Sequence, residues 1–148
     1  MTNAVIVDVA DALVSFLNED HSWSQSFTAA RAAIDFHDEL ADDGLHVDVA
    51  IGRSAQGEPL SGDVQEDSHL VDVGLRKKCD VSDTSVTDPL WLLVQEIRDV
   101  CLLSRLTDYE PAVCVGWQQK PTYYRSHARN FRQFTSVITL EFSISRDL

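Results

Sequence analysis

The chain has 148 residues, 44% of them hydrophobic and 24% charged, and a formal net charge of −12. This length suits one domain with a self-sufficient core, and no apolar run nears the ~20 residues of a membrane span. The charge disfavours ordinary nucleic-acid binding, because a field of that sign repels phosphate backbones.

Residues 4–19 predict an amphipathic helix. Val5, Ile6, Val9, Leu13, Phe16 and Leu17 recur at three and four, Asp8, Asp11, Ser15 and Asn18 take the other side, and Asn3 is a suitable N-cap. Residues 24–43 read two ways: Ala29, Ala30, Ala32 and Ala33 favour helix by propensity, while Phe27, Ile34 and Phe36 make no clean helical stripe, and the preferred reading is a strand over 27–34 followed by a helical turn over 38–41 that Gly44 would close. Leu45, Val47, Val49 and Ile51 alternate with His46 and Asp48, as in a half-buried strand. Residues 52–67 hold Gly52, Gly57, Pro59 and Gly62 with acids at Glu58, Asp63, Glu66 and Asp67, and suit a long loop of the kind found at interfaces. Residues 69–79 predict the next strand, so that the two strands and their loop form a hairpin with a large excursion.

The best-marked helix is expected over 89–105, with Asp88 as N-cap, Pro89 at the first helical position and an apolar stripe through Leu90, Leu93, Val94, Ile97, Val100 and Cys101. Residues 112–117 suit a strand. The connector 120–132 holds four basic residues (Lys120, Arg125, Arg129, Arg132) with Tyr123, Tyr124, His127 and Phe131, a composition suited to protein contact. From 133 onward Phe134, Ser136, Ile138, Leu140, Phe142 and Ile144 alternate with Gln133, Thr135, Val137, Thr139, Glu141, Ser143 and Ser145. This run predicts a strand of about 13 residues, roughly 43 Å at about 3.3 Å per residue.

The charge is unevenly placed. Residues 1–75 hold 15 Asp/Glu against 2 Lys/Arg, while residues 76–148 hold 9 against 10. Beyond solubility, this suits a surface that sits near DNA without gripping it, or one that mates with a basic partner. Met1-Thr2-Asn3-Ala4 has no basic segment ahead of an apolar run, so no signal peptide is expected. Cys79, Cys101 and Cys114 are odd in number and far apart, as reduced thiols are.

No phosphate loop, dinucleotide turn or nucleophile elbow is present in the sequence. His21, His37, His46, His69 and His127 lack metal spacing. Neighbouring side chains in His37-Asp38-Glu39 diverge. The stretch Asp38-Glu39-Leu40-Ala41-Asp42-Asp43-Gly44 lacks the ligand order and closing Glu of a calcium loop. Asp35, Asp38 and Glu39 offer carboxylates without a nucleophile or a substrate signature. The expectation is a non-enzyme with no catalytic, cofactor-binding or metal residues and no cofactor.

An acidic N-terminal helix leads the chain. A variable excursion, a strand closing in Val73-Gly74-Leu75-Arg76-Lys77-Lys78 and a helix with Leu92-Leu93-Val94-Gln95-Glu96-Ile97 follow, and the chain finishes in Gln133-Phe134-Thr135-Ser136-Val137-Ile138-Thr139-Leu140. This layout resembles the tail-terminator and neck-type structural proteins of tailed bacteriophages. The resemblance implies an α+β fold: a single domain over residues 1–148, with a mostly antiparallel β-sheet packed against two main α-helices and long interface loops. It also implies a virion protein, assembled in the host cytoplasm, whose copies form a ring, commonly a hexamer, on the completed tail tube. Its partners would be itself, the tail tube protein and the head-side neck or connector protein, with genomic DNA passing through unbound and no membrane contact. Tyr123, Tyr124, Arg125, Arg129, Phe131 and Arg132 would then make interface contacts, and Asp63, Glu66 and Asp67 would form an acidic loop at the lumen. Another neck or head-completion adaptor, and an acidic module that mimics DNA, are the alternative readings.

Overall fold

In chain order the elements are α1 (Val5–Leu17), β1 (Ala29–Arg31), β2 (His46–Ser61), β3 (Val64–Lys78), α2 (Thr84–Cys101), β4 (Arg105–Leu106), β5 (Tyr109–Gln118), α3 (Arg125–Phe131) and β6 (Gln133–Asp147). The structure is a computed structural model that describes residues 4–33, 36, 39–62, 64–119 and 124–147. The strands form one sheet in the order β1-β2-β3-β6-β5-β4, curled into a half-barrel. β1 runs parallel to β2, and the other pairs are antiparallel.

The centre of the sheet is β3 against β6, in unbroken register from Val64 opposite Asp147 to Lys78 opposite Gln133. Period-2 alternation sends one set of side chains to each face. Val71, Val73, Leu75, Phe134, Ile138, Leu140, Phe142 and Ile144 enter the core with Val47 and Val49. α1 and α2 cover this face, through Val9, Leu13, Phe16 and Leu17 from one and Leu90, Leu93, Val94 and Ile97 from the other. Each large side chain so buried stabilises the fold by about 1.5–3 kcal/mol. The carbonyls at the end of α1 are closed by side chains: the His21 ring lies 2.6 Å from Phe16 O, and Trp23 Nε1 donates to Leu17 O at 3.1 Å.

The other face of the sheet is polar and partly roofed. Phe36 lies flat over Gly74, where an added Cβ would sit 2.7 Å from the ring. The same ring stacks with the Arg76 guanidinium, 5.4 Å from its centroid. α3 closes the same end, its buried His127 reaching the Thr135 hydroxyl at 2.8 Å.

This architecture corrects the expected fold class. The molecule is β-rich, with a mixed, curled sheet and three helices, rather than a mostly antiparallel sheet on two helices. The long interface loop over 52–67 is also overturned: its residues continue β2 and β3 into one long hairpin, with register shifts between Ile51 and Ser54 and again between Gln56 and Ser61. Gly52, Gly57 and Pro59, which suggested a loop, sit at these irregularities, where an extra residue bends a strand without ending it, and Gly62 lies in the turn between the two strands. Residues 39–44 hold bends and no helix, and Gly44 closes a side-chain turn on Asp42 (2.8 Å) instead of capping a helix. α2 begins five residues earlier than expected, because Asp83, not Asp88, caps it by accepting from Ser85 N at 3.0 Å. Pro89 therefore lies inside the helix. Asn3 lies outside the described residues, and α1 starts after Ala4 with no side-chain cap.

Candidate assembly interface

The aromatic, basic connector is a short helix with a tied-down base. Tyr124 precedes it, its N–H bonded to Thr135 O at 3.0 Å. The Tyr124 and Phe131 rings flank His127, 5.0 and 5.2 Å away. Arg132 ends the helix in a left-handed conformation (φ 49°), and its carbonyl accepts from Cys79 N at 3.0 Å, joining α3 to the end of β3. Under the helix a buried polar chain runs between elements. Gln133 accepts from Leu40 N at 2.8 Å and donates to the Thr135 hydroxyl at 3.0 Å, beside His127. Buried polar groups are costly unless bonded, so this chain fixes where α3 sits.

The residues expected at an interface therefore divide. Tyr124 and Phe131 are half-buried and pack inward, whereas Arg125, Arg129 and Arg132 are exposed. Arg125 and Arg129, one helical turn apart, face solvent with no acidic partner among the described residues, and Arg132 lies 4.0 Å from Asp80. Tyr123 lies outside the described residues. A shallow groove of about 790 Å³ separates α3 from the end of β3, with Lys77, Lys78 and Arg132 among its lining residues.

The acidic set divides as well. Asp63 lies outside the described residues. Glu66 and Asp67 are neighbours in β3 and so point to opposite faces. Asp67 accepts from Gln65 Nε2 at 2.7 Å, inside a polar cluster of the hairpin with Gln56, Ser54 and His69. Glu66 belongs to a ladder on the polar face that links β3 to β6. Ser143 donates to Glu66, Ser68 to Glu141 at 2.9 Å, and Thr139 to Asp72 at 2.7 Å. Each carboxylate is held by a hydroxyl from the neighbouring strand and is half-buried. From Glu66 to Asp72 of β3, and from Thr139 to Ser145 of β6 opposite, neither strand carries a cation on this face, and Arg105 lines a groove with Glu66, Ser143 and Ser145. Asp48 lies further along it, paired with Arg76 at 3.1 Å.

Sequence reasoning missed this ladder. Its signal was present: Ser/Thr and Asp/Glu alternate with apolar residues on both strands. The pairing register that brings them together was not readable from one chain order.

Among the described residues, no group of three His, Cys, Asp or Glu side chains could hold a metal ion. Glu39 instead pairs with Lys78 at 3.0 Å, and Asp35, His37 and Asp38 lie outside the described residues. No helix of the described residues is long and apolar enough to cross a membrane. Comparison with models of known protein families gives no match, and comparison with curated proteins gives none either.

Proposed function

We propose that this chain is a ring-forming structural subunit at the head–tail junction of a tailed bacteriophage, of the tail-terminator kind: copies close into a ring on the end of the tail tube, stop its growth and join it to the head-side connector. The observation that carries the reading is the different chemistry of the two ends of the long sheet. One end is the β2–β3 hairpin with Glu66 and Asp67. The other, about 40 Å away along β3 from Glu66 to Lys78, is mixed in charge: Glu39, Asp43 and Asp80 sit among Lys77, Lys78 and Arg132, and Arg125 and Arg129 project from α3 with no acidic partner among the described residues. Ends of different chemistry suit a subunit that must meet two different partners along one axis.

The carboxylate ladder supports the same reading. A row of hydroxyl-held carboxylates repels a duplex, which suits a conduit for DNA, with Arg105 beside Glu66 as the cation bordering the ladder. The ladder of Glu66, Asp72 and Glu141 would line the channel, and the exposed arginines of α3 would belong to a rim that docks the tube or the connector.

Co-expression with the tail-tube protein of the same genome tests the proposal. In its presence, tubes viewed by negative stain should stop at a capped end and fail to extend when more tube protein is added. Tubes that elongate equally with and without this chain would refute the terminator role. An Arg125→Glu, Arg129→Glu double variant should lose capping while keeping its fold by circular dichroism.

A further inference from the structure

The sheet has two incompletely covered edges, and they match. On the first edge, β1 pairs with β2 only as far as Arg31 opposite Val49, and Ala32 N bonds to Val49 O at 2.8 Å. Beyond that point β2 has no outer neighbour among the described residues, and residues 51–56 are all exposed. On the second edge, β4 and the residues before it cover β5 only up to Cys114, which bonds to Leu103 N and Ser104 O. Residues 115–118 have no outer neighbour among the described residues, and Val115, Trp117 and Gln118 are exposed.

These open stretches lie in the same hydrogen-bonded rows. Trp117 pairs with Leu140, Leu140 with Val71, and Val71 with Ile51. One row further, Gln118 pairs with Thr139, Thr139 with Asp72, and Asp72 with Ala50. β2 and β5 also run in opposite directions, because three antiparallel steps separate them. The row carries an apolar side chain at each edge on the same face: Ile51, 36% exposed, and Trp117, 43% exposed, with the Arg98 guanidinium 4.3 Å from the centroid of its ring. The β2 bulge between Ile51 and Ser54 turns the hairpin away at the height where the cover over β5 begins on the other edge.

We propose, building on the ring reading above, that the occupant of each edge is a second copy of this chain, with residues 51–53 of β2 pairing antiparallel with residues 115–118 of the next copy's β5. Edges that are open in the same rows and run in opposite directions can pair antiparallel between copies related by a rotation, and a heterologous contact of this kind closes a ring when the rotation divides a full turn. The contact is heterologous, its backbone groups complete an antiparallel ladder, and Ile51 of one copy meets Trp117 of the next as a β-branched–aromatic cross-strand pair. The acidic hairpin and the α3 end, with its exposed Arg125 and Arg129, then form opposite rims of the ring.

Cross-linking tests the contact. Within one chain Ile51 and Trp117 are three strand spacings apart, roughly 14 Å at about 4.8 Å each, too far for a disulfide. An Ile51→Cys, Trp117→Cys double variant, oxidised with oxidised glutathione, should give a ladder of covalent multimers ending in one closed band. An equimolar mixture of the two single variants should give heterotypic dimers. Wild-type protein and an Ile51→Cys, Leu92→Cys pair serve as controls. A ring in the wild type with no Ile51–Trp117 cross-link above these controls would overturn the edge pairing and leave the ring reading standing. Cross-links of Ile51→Cys with itself would also overturn it, since they mark a two-fold contact. No ring in the wild type, either alone or with tail tubes, would bring down both. A Trp117→Lys variant that is folded by circular dichroism should lose the ring, with mass falling to that of one subunit, whereas Arg129→Glu should retain it.

Discussion

At the scale of single residues, the thiols and the buried polar chain give the sharpest expectations. Burial pushes the Cys114 thiol up to about 11, and burial raises Cys101 further. Neither should react with a thiol reagent at pH 8 in the native state, while the half-buried Cys79 reacts slowly. One slow equivalent before denaturation and three after is the expected titration; three fast equivalents in buffer would contradict the packing. Thr135 is fully buried between Gln133 and His127. Thr135→Val removes a hydroxyl that both approach and should cost about 1–3 kcal/mol in urea unfolding. Asp80 is held below its ordinary value of 3.8, first by the side chain and then by the backbone N–H of Ser82. A depressed carboxylate stabilises the fold above its unfolded pKa, and that contribution disappears as pH falls through the folded value. Asp80→Asn should therefore be less stable than wild type at pH 7 and indistinguishable from it near pH 2.

At the scale of elements, the closest fit is Phe36 on Gly74. Gly74 lies in the middle of β3, where a glycine weakens a strand unless something approaches it closely. Here the Phe36 ring does, and a Cβ at 2.7 Å would lift it off Arg76. Gly74→Ala should destabilise the protein by about 1–3 kcal/mol, as overpacking does; an unchanged urea midpoint would show that the ring is free to move. The elements also separate what one sequence could tell from what it could not. The C-terminal alternation from Phe134 to Ile144 and the apolar stripes of α1 and α2 were legible because each is set by a local period. The hairpin over 52–67 was not, because Gly52, Gly57 and Pro59 mark bulges as readily as loops, and the difference lies in the partner strand. The start of α2 was misread because two aspartates five apart both precede apolar residues, and Pro89 suited the later one.

At the scale of the molecule, the same sheet separates chemistry by direction. One face is core and the other carries the ladder of Glu66, Asp72 and Glu141. The hairpin end is acidic, the α3 end mixes Lys77, Lys78 and Arg132 with Glu39, Asp43 and Asp80, and among the described residues the two edges are open in the same hydrogen-bonded rows. The resemblance carried by the residues around Val73 and Phe134 pointed to a ring subunit, but the charged groups could not be assigned to face, end or edge without the pairing register. That is why Glu66 and Asp67 looked like one acidic loop and belong to two faces, and why the arginines and aromatics of the connector looked like one set when only the arginines face outward. Reversing the ladder, with Glu66→Lys and Glu141→Lys together, should leave ring mass unchanged and give DNA binding that falls steeply with salt. Wild-type rings should show none.

The most direct test of the central claim is the mass and rotational symmetry of the purified protein, by light scattering and negative-stain microscopy at micromolar concentration. A closed ring is expected, six-fold if the chain terminates a tail. A monomer that stays a monomer across the concentration range, and in the presence of tail tubes, would contradict it.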